Sequence, residues 1–221
     1  MVKTLIIGAS GGIGSALAHA LRARGAEVVG LSRSADGFDI TDEANVEAHL
    51  GALDGPFDGI IVASGALEIK GAAPEKTVKA VTAQAMANQF AVNAIGPALV
   101  LRHAARLLPR EGRSVCAVLT ARVGSIGDNR IGGWTSYRAA KAAANQIVHT
   151  TAIELARTHP DLVCVAVHPG TVETPFTQKY LGRHPAVPAS EAAQNILSVL
   201  DGLTPERTGG FYDWAGEQVE W

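Results

Sequence analysis

The chain has 221 residues, of which 47% are hydrophobic and 18% charged, and its formal net charge is −2. This composition excludes an intrinsically disordered chain, and the charge provides no basic footprint for nucleic acid. No apolar run approaches the roughly 20 residues that span a bilayer, and the amino terminus leads into a strand-like segment without a signal-peptide pattern. We therefore expect a cytoplasmic protein that folds as one domain over residues 1–221, with neither a membrane nor a nucleic acid as partner.

Apolar runs alternate with helical patterns along the chain. Strands are predicted at 2–7, 27–31, 59–62, 113–120, 162–168 and 211–214. Helices are predicted at 13–24, 42–50, 84–108, 136–158 and 190–200. Strands this apolar are typical of a parallel sheet covered on both faces. The prediction is an α/β, Rossmann-like, doubly wound parallel sheet with helices on both faces, whose ligands bind beyond the carboxyl ends of the strands.

Cysteine and histidine spacing gives no metal signature. Cys116 and Cys164 each lie in an apolar run, which is typical of buried packing residues. The seven histidines show no HxxxH pattern, and the cysteines no CxxC pattern. We therefore expect no metal site.

A glycine-rich turn joins the first predicted strand to the first helix. Gly8, Gly12 and Gly14 form a GxxxGxG pattern that also contains Ser10 and Ile13. In a chain with 24 glycines the pattern alone is weak, so its position between strand and helix carries the inference. Such a turn lets the backbone and helix N–H groups approach a pyrophosphate. The alternative is a tight turn that only permits close packing.

The end of the second strand indicates which dinucleotide binds. Folds that prefer NAD usually place a carboxylate there, whereas this chain has Ser32, Arg33 and Ser34, which suit a 2′-phosphate. NADP(H) is therefore favoured and NAD(H) remains possible, the alternative for Arg33 being a solvated loop charge. Asp39 and Ile40 are candidates to border the adenine, although Asp39 would also suit a cap of the next helix.

Tyr137 and Lys141 are four residues apart in a predicted helix, so their side chains share one face. An ammonium ~4 Å from a phenol, at an effective dielectric near 20, stabilises the phenolate by about 4 kcal/mol. This would lower the phenol pKa from about 10 toward 7, a range useful for proton transfer. The alternative is an exposed helix pair worth a few tenths of a kcal/mol.

The order of the glycine turn, Asn93, Tyr137-x3-Lys141 and Pro169-Gly170 resembles the short-chain dehydrogenase/reductase family over essentially the whole chain. Residues 122–129, followed by Gly132-Gly133-Trp134, further resemble the C-factor and sniffer-type carbonyl reductases. The resemblance implies hydride transfer between NADP(H) and a small carbonyl or alcohol substrate. It also implies a homo-oligomer, a dimer or tetramer, associated through the helices at 84–108 and 136–158.

The resemblance also implies roles for individual residues. Tyr137 would be the general acid/base, and Lys141 would lower its pKa and bind the nicotinamide ribose. Asn93 would lie at a helix kink and hold a water that relays protons to Lys141. The following Gly96-Pro97 would disturb the helical ladder, and the alternative for Asn93 is a kink cap. The segment expected to contact the carboxamide contains Pro169, Gly170, Val172 and Thr174.

The chain departs from the family pattern at three points. Val62-Ala63-Ser64-Gly65 stands where members usually carry Asn-Asn-Ala-Gly, so Ser64 and Gly65 are the expected cofactor contacts there. Ala140 precedes Lys141 where the family often has serine. Ala121, three residues before Gly124, stands where the catalytic serine normally falls. We take Ser125, in the glycine-flanked loop before Tyr137, as its replacement, and Thr120 is the alternative.

The substrate is left open. Trp134, Phe176 and Tyr180 would suit an uncharged carbonyl, whereas Arg122 and Arg130 would suit an anionic substrate. A rival function is a dinucleotide-binding regulatory module without useful turnover, which the alanine in place of the serine keeps open. Another is an epimerase or dehydratase, for which 221 residues leave little room for a substrate domain.

Overall fold

The computed structural model describes residues 1–174, 177–180 and 186–221. Six parallel strands form one sheet in the order β2-β1-β3-β4-β5-β8. The strands of this sheet are β1 Lys3–Ile7, β2 Glu27–Leu31, β3 Gly59–Val62, β4 Ser114–Leu119, β5 Leu162–His168 and β8 Phe211–Asp213. The helices are α1 Gly12–Ala23, α2 Arg33–Asp36, α3 Glu43–Gly51, α4 Ala83–Phe90, α5 Gly96–Leu101, α6 Ala104–Leu107, α7 Thr135–Leu155 and α8 Ala189–Gly202. The doubly wound parallel sheet predicted from the sequence is confirmed.

Helices cover the sheet on both faces, and each face has its own apolar core. Along β1, Leu5 and Ile7 point into the core shared with α3, α5 and α7, while Ile6 points into the core shared with α1 and α8. All three side chains are completely buried. This alternation follows from the two-residue period of a strand, and burial of both faces explains why the strands are apolar throughout.

Three parts of the fold differ from the sequence prediction. The helix predicted at 84–108 is divided into α4, a π-helical turn at Ala91–Ile95, α5 and α6. A short helix, α2, follows β2 directly, where a loop was expected. After β5, where no further strand was predicted before residue 211, β6 (Val172–Glu173) pairs in parallel with β7 (Val187–Pro188).

The order of the strands reverses between β1 and β3, and at such a point the connections leave in opposite directions and open a crevice at the carboxyl edge. The turn after β1, the segments after β3 and β4, and the segment after β5 all leave from this edge. Among the described residues no helix is long and apolar enough to cross a membrane. In the same part of the chain no three His, Cys, Asp or Glu residues cluster as metal ligands would.

Candidate active site

The glycine turn after β1 is tightly packed. Gly8 has a φ of +88°, a conformation that favours glycine, and its N–H donates to the Leu31 carbonyl at the end of β2, at 2.7 Å. A Cβ on Gly14 would overlap the Gly8 carbonyl oxygen. No side chain caps the N-terminus of α1, so the N–H groups of its first turn have no side-chain acceptor and suit an anion.

Two other segments close over this turn. A Cβ built on Gly12 would lie 2.6 Å from Cγ2 of Thr174, and one on Gly8 would lie 2.8 Å from Oγ of Ser64. Val172, in β6, is buried and helps to hold the Thr174 segment in place. Ser64, Thr174 and the glycine turn are therefore brought together. Ile13 lies half-buried in the first turn of α1.

The segment after β5 begins with His168-Pro169-Gly170. Gly170 has a φ of +81°, and a Cβ there would lie 3.0 Å from the Trp214 ring. Pro169 and Gly170 are both half-buried at the carboxyl edge of the sheet.

The candidate 2′-phosphate residues lie at the end of β2, next to the glycine turn. The Oγ atoms of Ser34 and Ser10 are 2.9 Å apart, so these two hydroxyls form one polar edge. Arg33 is exposed at the start of α2. Ser32 is different, because its buried hydroxyl accepts from the Ala35 N–H and donates to the Asp36 carboxylate. Ser10, Arg33 and Ser34 are therefore accessible to a ligand, whereas the Ser32 hydroxyl already has protein partners.

Asp39 and Ile40 lie between α2 and α3. The Asp39 carboxylate accepts hydrogen bonds from the Thr41 N–H and hydroxyl, at 2.9 and 2.7 Å, and these bonds hold its pKa below the usual value. Asp42, not Asp39, caps α3 by accepting from the Asn45 N–H, so the alternative of an Asp39 cap is wrong. Ile40 is buried, and it packs so closely on Gly96 that a Cβ there would lie 2.8 Å away.

Tyr137 and Lys141 lie side by side on α7, 7% and 4% exposed. The Lys141 Nζ is 5.8 Å from the centre of the Tyr137 ring and donates to the Leu119 carbonyl at the end of β4, at 3.1 Å. Burial raises the pKa of the Tyr137 phenol well above its usual value and lowers the pKa of Lys141 to about 8. The spacing of the two residues does not reveal this desolvation, which disfavours both charged forms. In this structure the pKa of the phenol is therefore not lowered.

Asn93 is completely buried in the π-helical turn between α4 and α5. Its side chain bridges to the segment after β3: Oδ1 accepts from the Ala66 N–H at 3.0 Å, and Nδ2 donates to the Ala66 carbonyl at 2.8 Å. A Cβ on Gly65 would lie 3.2 Å from Asn93 Oδ1 and 3.4 Å from Lys141 Nζ. Asn93 and Lys141 therefore both border Gly65, and the glycine permits their close approach.

Gln89 is a site residue that the sequence analysis missed. Its buried side chain accepts a hydrogen bond from Asn93 Nδ2 at 2.6 Å and donates to the Leu67 carbonyl at 2.8 Å. It therefore holds Asn93 and the segment after β3 together. Its position four residues before Asn93 on a helix was the available signal.

Both candidate hydroxyls flank Ala121. Ser125 is buried, and its Oγ accepts from the Asp128 N–H at 3.0 Å. Among the described residues no acceptor takes the proton of this hydroxyl. Thr120 is also buried, and its Oγ1 has no hydrogen-bond partner in the described part of the chain. A hydroxyl is therefore present on each side of the alanine.

Aromatic side chains surround the catalytic candidate. Trp134 packs edge-on against Tyr137, with ring centres 6.2 Å apart, and against Tyr180 at 5.6 Å. The Tyr180 hydroxyl donates to Glu68 at 2.6 Å, and Lys179 pairs with the same carboxylate at 2.9 Å. Phe176 lies outside the described residues.

The arginines contribute less to this site. Arg122 pairs with Asp128 at 2.7 Å and with Asp213 at 3.5 Å, so two carboxylates already share its charge. Arg122 is therefore less suited to bind an anionic ligand. Arg130 is exposed.

The arrangement joins the glycine turn to a buried phenol and amine at one edge of the sheet. Such a site can hold an extended dinucleotide across the crevice and deliver a proton beside its far end.

Comparison with known proteins agrees with this geometry. Residues 8–207 match the family model described as enoyl-(acyl carrier protein) reductase. The chain is 30% identical to 1-hydroxy-2-glutathionyl-2-methyl-3-butene dehydrogenase of Rhodococcus sp., with both proteins covered completely. It is 39% identical to C-signal of Myxococcus xanthus over 62% of this chain and 78% of that protein.

Solved structures share the fold over the whole length. The carbonyl reductase Sniffer of D. melanogaster is 18% identical, with a TM-score of 0.82 and complete coverage of both chains. A putative short-chain dehydrogenase/reductase from Burkholderia multivorans with bound NADP is 26% identical, with a TM-score of 0.83 and 99% coverage of both chains. The predicted resemblance to the C-factor and Sniffer proteins is confirmed. The chain belongs to the short-chain dehydrogenase/reductase family of oxidoreductases.

Proposed function

We propose that the protein is an NADP(H)-dependent oxidoreductase that interconverts a carbonyl compound and an alcohol, with Tyr137 as the general acid/base. The observation that carries the proposal is the buried pair of Tyr137 and Lys141, which lies beside Asn93 and Gly65 at the carboxyl edge of the sheet. The whole chain would act as one catalytic unit.

The described residues fit a dinucleotide. The first turn of α1 lacks a side-chain cap, and Gly8 and Gly12 lie where a Cβ would come within 3 Å of Ser64 or Thr174. We infer that the glycine turn holds the pyrophosphate and that Pro169, Gly170, Val172 and Thr174 border the nicotinamide end. When bound, the nicotinamide supplies or accepts the hydride.

Tyr137 donates the proton to the carbonyl oxygen during reduction and takes it back during oxidation. Its raised pKa keeps the phenol protonated at neutral pH, which is the form that reduction needs. Lys141, with a pKa of about 8, is largely protonated at pH 7 and stabilises the phenolate left behind.

Asn93 supports the return of a proton. In an α-helical ladder the donor for its carbonyl would be residue 97, and residue 97 is proline, which has no N–H. The π-helical turn at this point supports a role for Asn93 in holding the water that passes protons to Lys141. Ser125, or alternatively Thr120, would hydrogen-bond the substrate oxygen.

The preference for NADP(H) rests on the polar edge formed by Ser10, Arg33 and Ser34. Arginine pairs with a phosphate in a bidentate manner, and the hydroxyls add donors. The NADP bound to the Burkholderia relative supports the same preference. The aromatic ring pairs at Trp134 support an uncharged carbonyl substrate.

The test is turnover of the purified protein with NADPH and a panel of aldehydes, ketones and quinones, compared with Tyr137→Phe. Alcohol oxidation with NADP⁺ is assayed alongside, with a glutathionyl alcohol included because the Rhodococcus relative is named for one. Tyr137→Phe removes the transferable proton and is expected to lower kcat by about 100-fold or more, the lower end of the range for general acid catalysis. Its affinity for NADPH should be unchanged.

An active Tyr137→Phe variant would remove Tyr137 from this role. A wild-type protein that binds NADPH but converts no member of the panel would favour the regulatory module instead.

A further inference from the structure

Glu75 is a buried carboxylate that the proposed mechanism does not use. It is 7% exposed, although it lies in a loop between β3 and α4. A buried charge is costly unless hydrogen bonds compensate it. Burial raises the pKa of this carboxyl, but hydrogen bonds, mainly from Ser136, outweigh burial and hold the pKa below its usual value. At neutral pH the group is therefore an anion.

All the observed partners of Glu75 lie at the start of α7. One carboxylate oxygen accepts from the Ser136 N–H at 3.3 Å, and the other accepts a short hydrogen bond from the Ser136 hydroxyl. The Glu75 carbonyl accepts from the Trp134 N–H at 2.6 Å. Backbone and side chain of this single residue thus contact two positions, Trp134 and Ser136, at the beginning of the helix.

The helix has no cap of its own. Its N-cap residue is Trp134, which has a φ of +52° and makes no side-chain cap hydrogen bond. The N–H groups of a first helical turn need external acceptors, and an anion there also interacts favourably with the helix dipole. Glu75 supplies both the acceptor oxygens and the negative charge, although it lies 61 residues away from Ser136 in the sequence.

Tyr137 is the third residue of α7, within the turn that Glu75 secures, whereas Lys141 lies one turn further on. Loss of the cap would let the first turn fray and would displace the phenol relative to the amine. A misplacement of about 1 Å can cost as much as 100-fold in rate. The glycine turn and Lys141 would keep their places, so cofactor binding would be preserved.

We propose that Glu75 is a positioning residue for catalysis, which acts as an external cap of α7 and holds Tyr137 against Lys141 and the substrate. This inference rests on the proposed function of Tyr137.

The experiment compares Glu75→Ala, Glu75→Gln and Glu75→Asp with the wild-type protein. Measurements are kcat and KM for a turned-over carbonyl substrate, and Kd for NADPH by fluorescence. Glu75→Ala is expected to lower kcat by about tenfold or more, within the range for displaced reacting groups, with an unchanged NADPH Kd. Exposed Glu191, in the first turn of α8, is the matched control, and Glu191→Ala should match the wild type.

Glu75→Gln and Glu75→Asp distinguish the effect of side-chain length from the effect of the negative charge. Both variants are expected to fold even if Glu75→Ala does not. Glutamine keeps the length, and its amide can accept from the Ser136 N–H while donating to the Ser136 hydroxyl. Aspartate keeps the charge but is one methylene too short. Glu75→Gln should therefore retain more of kcat than Glu75→Asp.

A higher kcat for Glu75→Asp than for Glu75→Gln would overturn the role of Glu75 and leave Tyr137 catalysis intact. A kcat of Glu75→Ala equal to that of the wild type would do the same. A loss of NADPH affinity that parallels the loss of kcat would also overturn it. A wild-type protein without turnover would refute the proposed function itself, and the role of Glu75 with it.

Discussion

Replacing Lys141 by methionine should make the protein more stable while removing its activity. In the described part of the chain no carboxylate pairs with the buried Lys141 ammonium, and burial lowers its pKa from 10.5 to about 8. At about 1.4 kcal/mol for each tenfold change in proton affinity, the charged form costs about 3 kcal/mol of folding free energy at pH 7. Methionine has a similar length and carries no charge.

One contact offsets this gain. Lys141 Nζ donates to the Leu119 carbonyl at 3.1 Å, and an acceptor left unpaired costs about 1 kcal/mol or somewhat more. The net expectation is that Lys141→Met raises the free energy of unfolding by about 2 kcal/mol at pH 7. A polar group that is retained despite its cost is typical of sites where function and stability conflict.

The sign of the effect should change with pH. Between the native pKa of about 8 and the unfolded value of 10.5, the unfolded wild-type chain binds more protons at this residue than the native chain does. Wild-type stability therefore rises through this interval, and the methionine variant lacks this contribution. The advantage of the variant should be constant below pH 8, shrink above it, and reverse near about pH 10.

The assay is urea unfolding of the cofactor-free protein at pH 7, 8, 9 and 10. Lys79→Met is the control, because Lys79 is exposed and its replacement removes no buried charge. A destabilised Lys141→Met variant at pH 7, or a difference from the wild type that does not change with pH, would refute the reasoning. Activity with NADPH should be lost in the same variant, because the phenolate is no longer stabilised.

Three further changes test the two ends of the site. Arg33→Ala should raise the KM for NADPH by about tenfold or more, because a charge-assisted pair with the 2′-phosphate is lost, and should change the KM for NADH little. Equal effects on the two KM values would mean that Arg33 does not bind the 2′-phosphate. Gly12→Ala should weaken NADPH binding because the added Cβ would lie 2.6 Å from Thr174 Cγ2. Gly202→Ala is the control: its added Cβ has no heavy atom of the described residues within 4 Å, and this variant should bind NADPH as the wild type does. Tyr180→Phe removes the hydrogen bond to Glu68 and should raise the substrate KM several-fold without changing the KM for NADPH; an unchanged substrate KM would place Tyr180 outside the substrate wall.

The strands of the sheet were predictable because a strand is indicated by the residues within it and next to it in the sequence. Each strand is a short apolar run bounded by glycine or polar residues, and β2, β3 and β5 begin and end where the sequence predicted. The break in the long helix was predictable for a chemical reason, since Pro97 cannot donate a hydrogen bond. Its form was not, because the choice of a π-helical turn depends on the contacts of Asn93 with Ala66 and Gln89.

Residues that act on the site from distant segments escaped the sequence analysis. Glu75 is an ordinary polar residue in sequence, and its importance appears only when its loop folds onto α7. Gln89 is indicated only by its spacing from Asn93, and its contact with the segment after β3 depends on how the helix packs there. The pKa values of Tyr137 and Lys141 escaped it for the same reason. Spacing indicates which groups are neighbours, but burial decides whether a neighbouring charge or desolvation has the greater effect.

Ala121 stands where the family's catalytic serine normally falls, so the serine hydroxyl is missing at this position. A catalytic serine contributes a hydrogen-bond donor for the substrate oxygen, and the chemistry requires the donor rather than a particular position in the chain. Ser125 Oγ accepts from the Asp128 N–H, and in the described part of the chain no acceptor takes the proton of the Ser125 hydroxyl. Asp128 in turn pairs with Arg122. The Arg122 ion pairs, which reduce its value as an anion site, thus have another use, because they fix the loop that carries this hydroxyl. Under the mechanism proposed for Tyr137, activity requires that this loop direct Ser125 to the substrate oxygen.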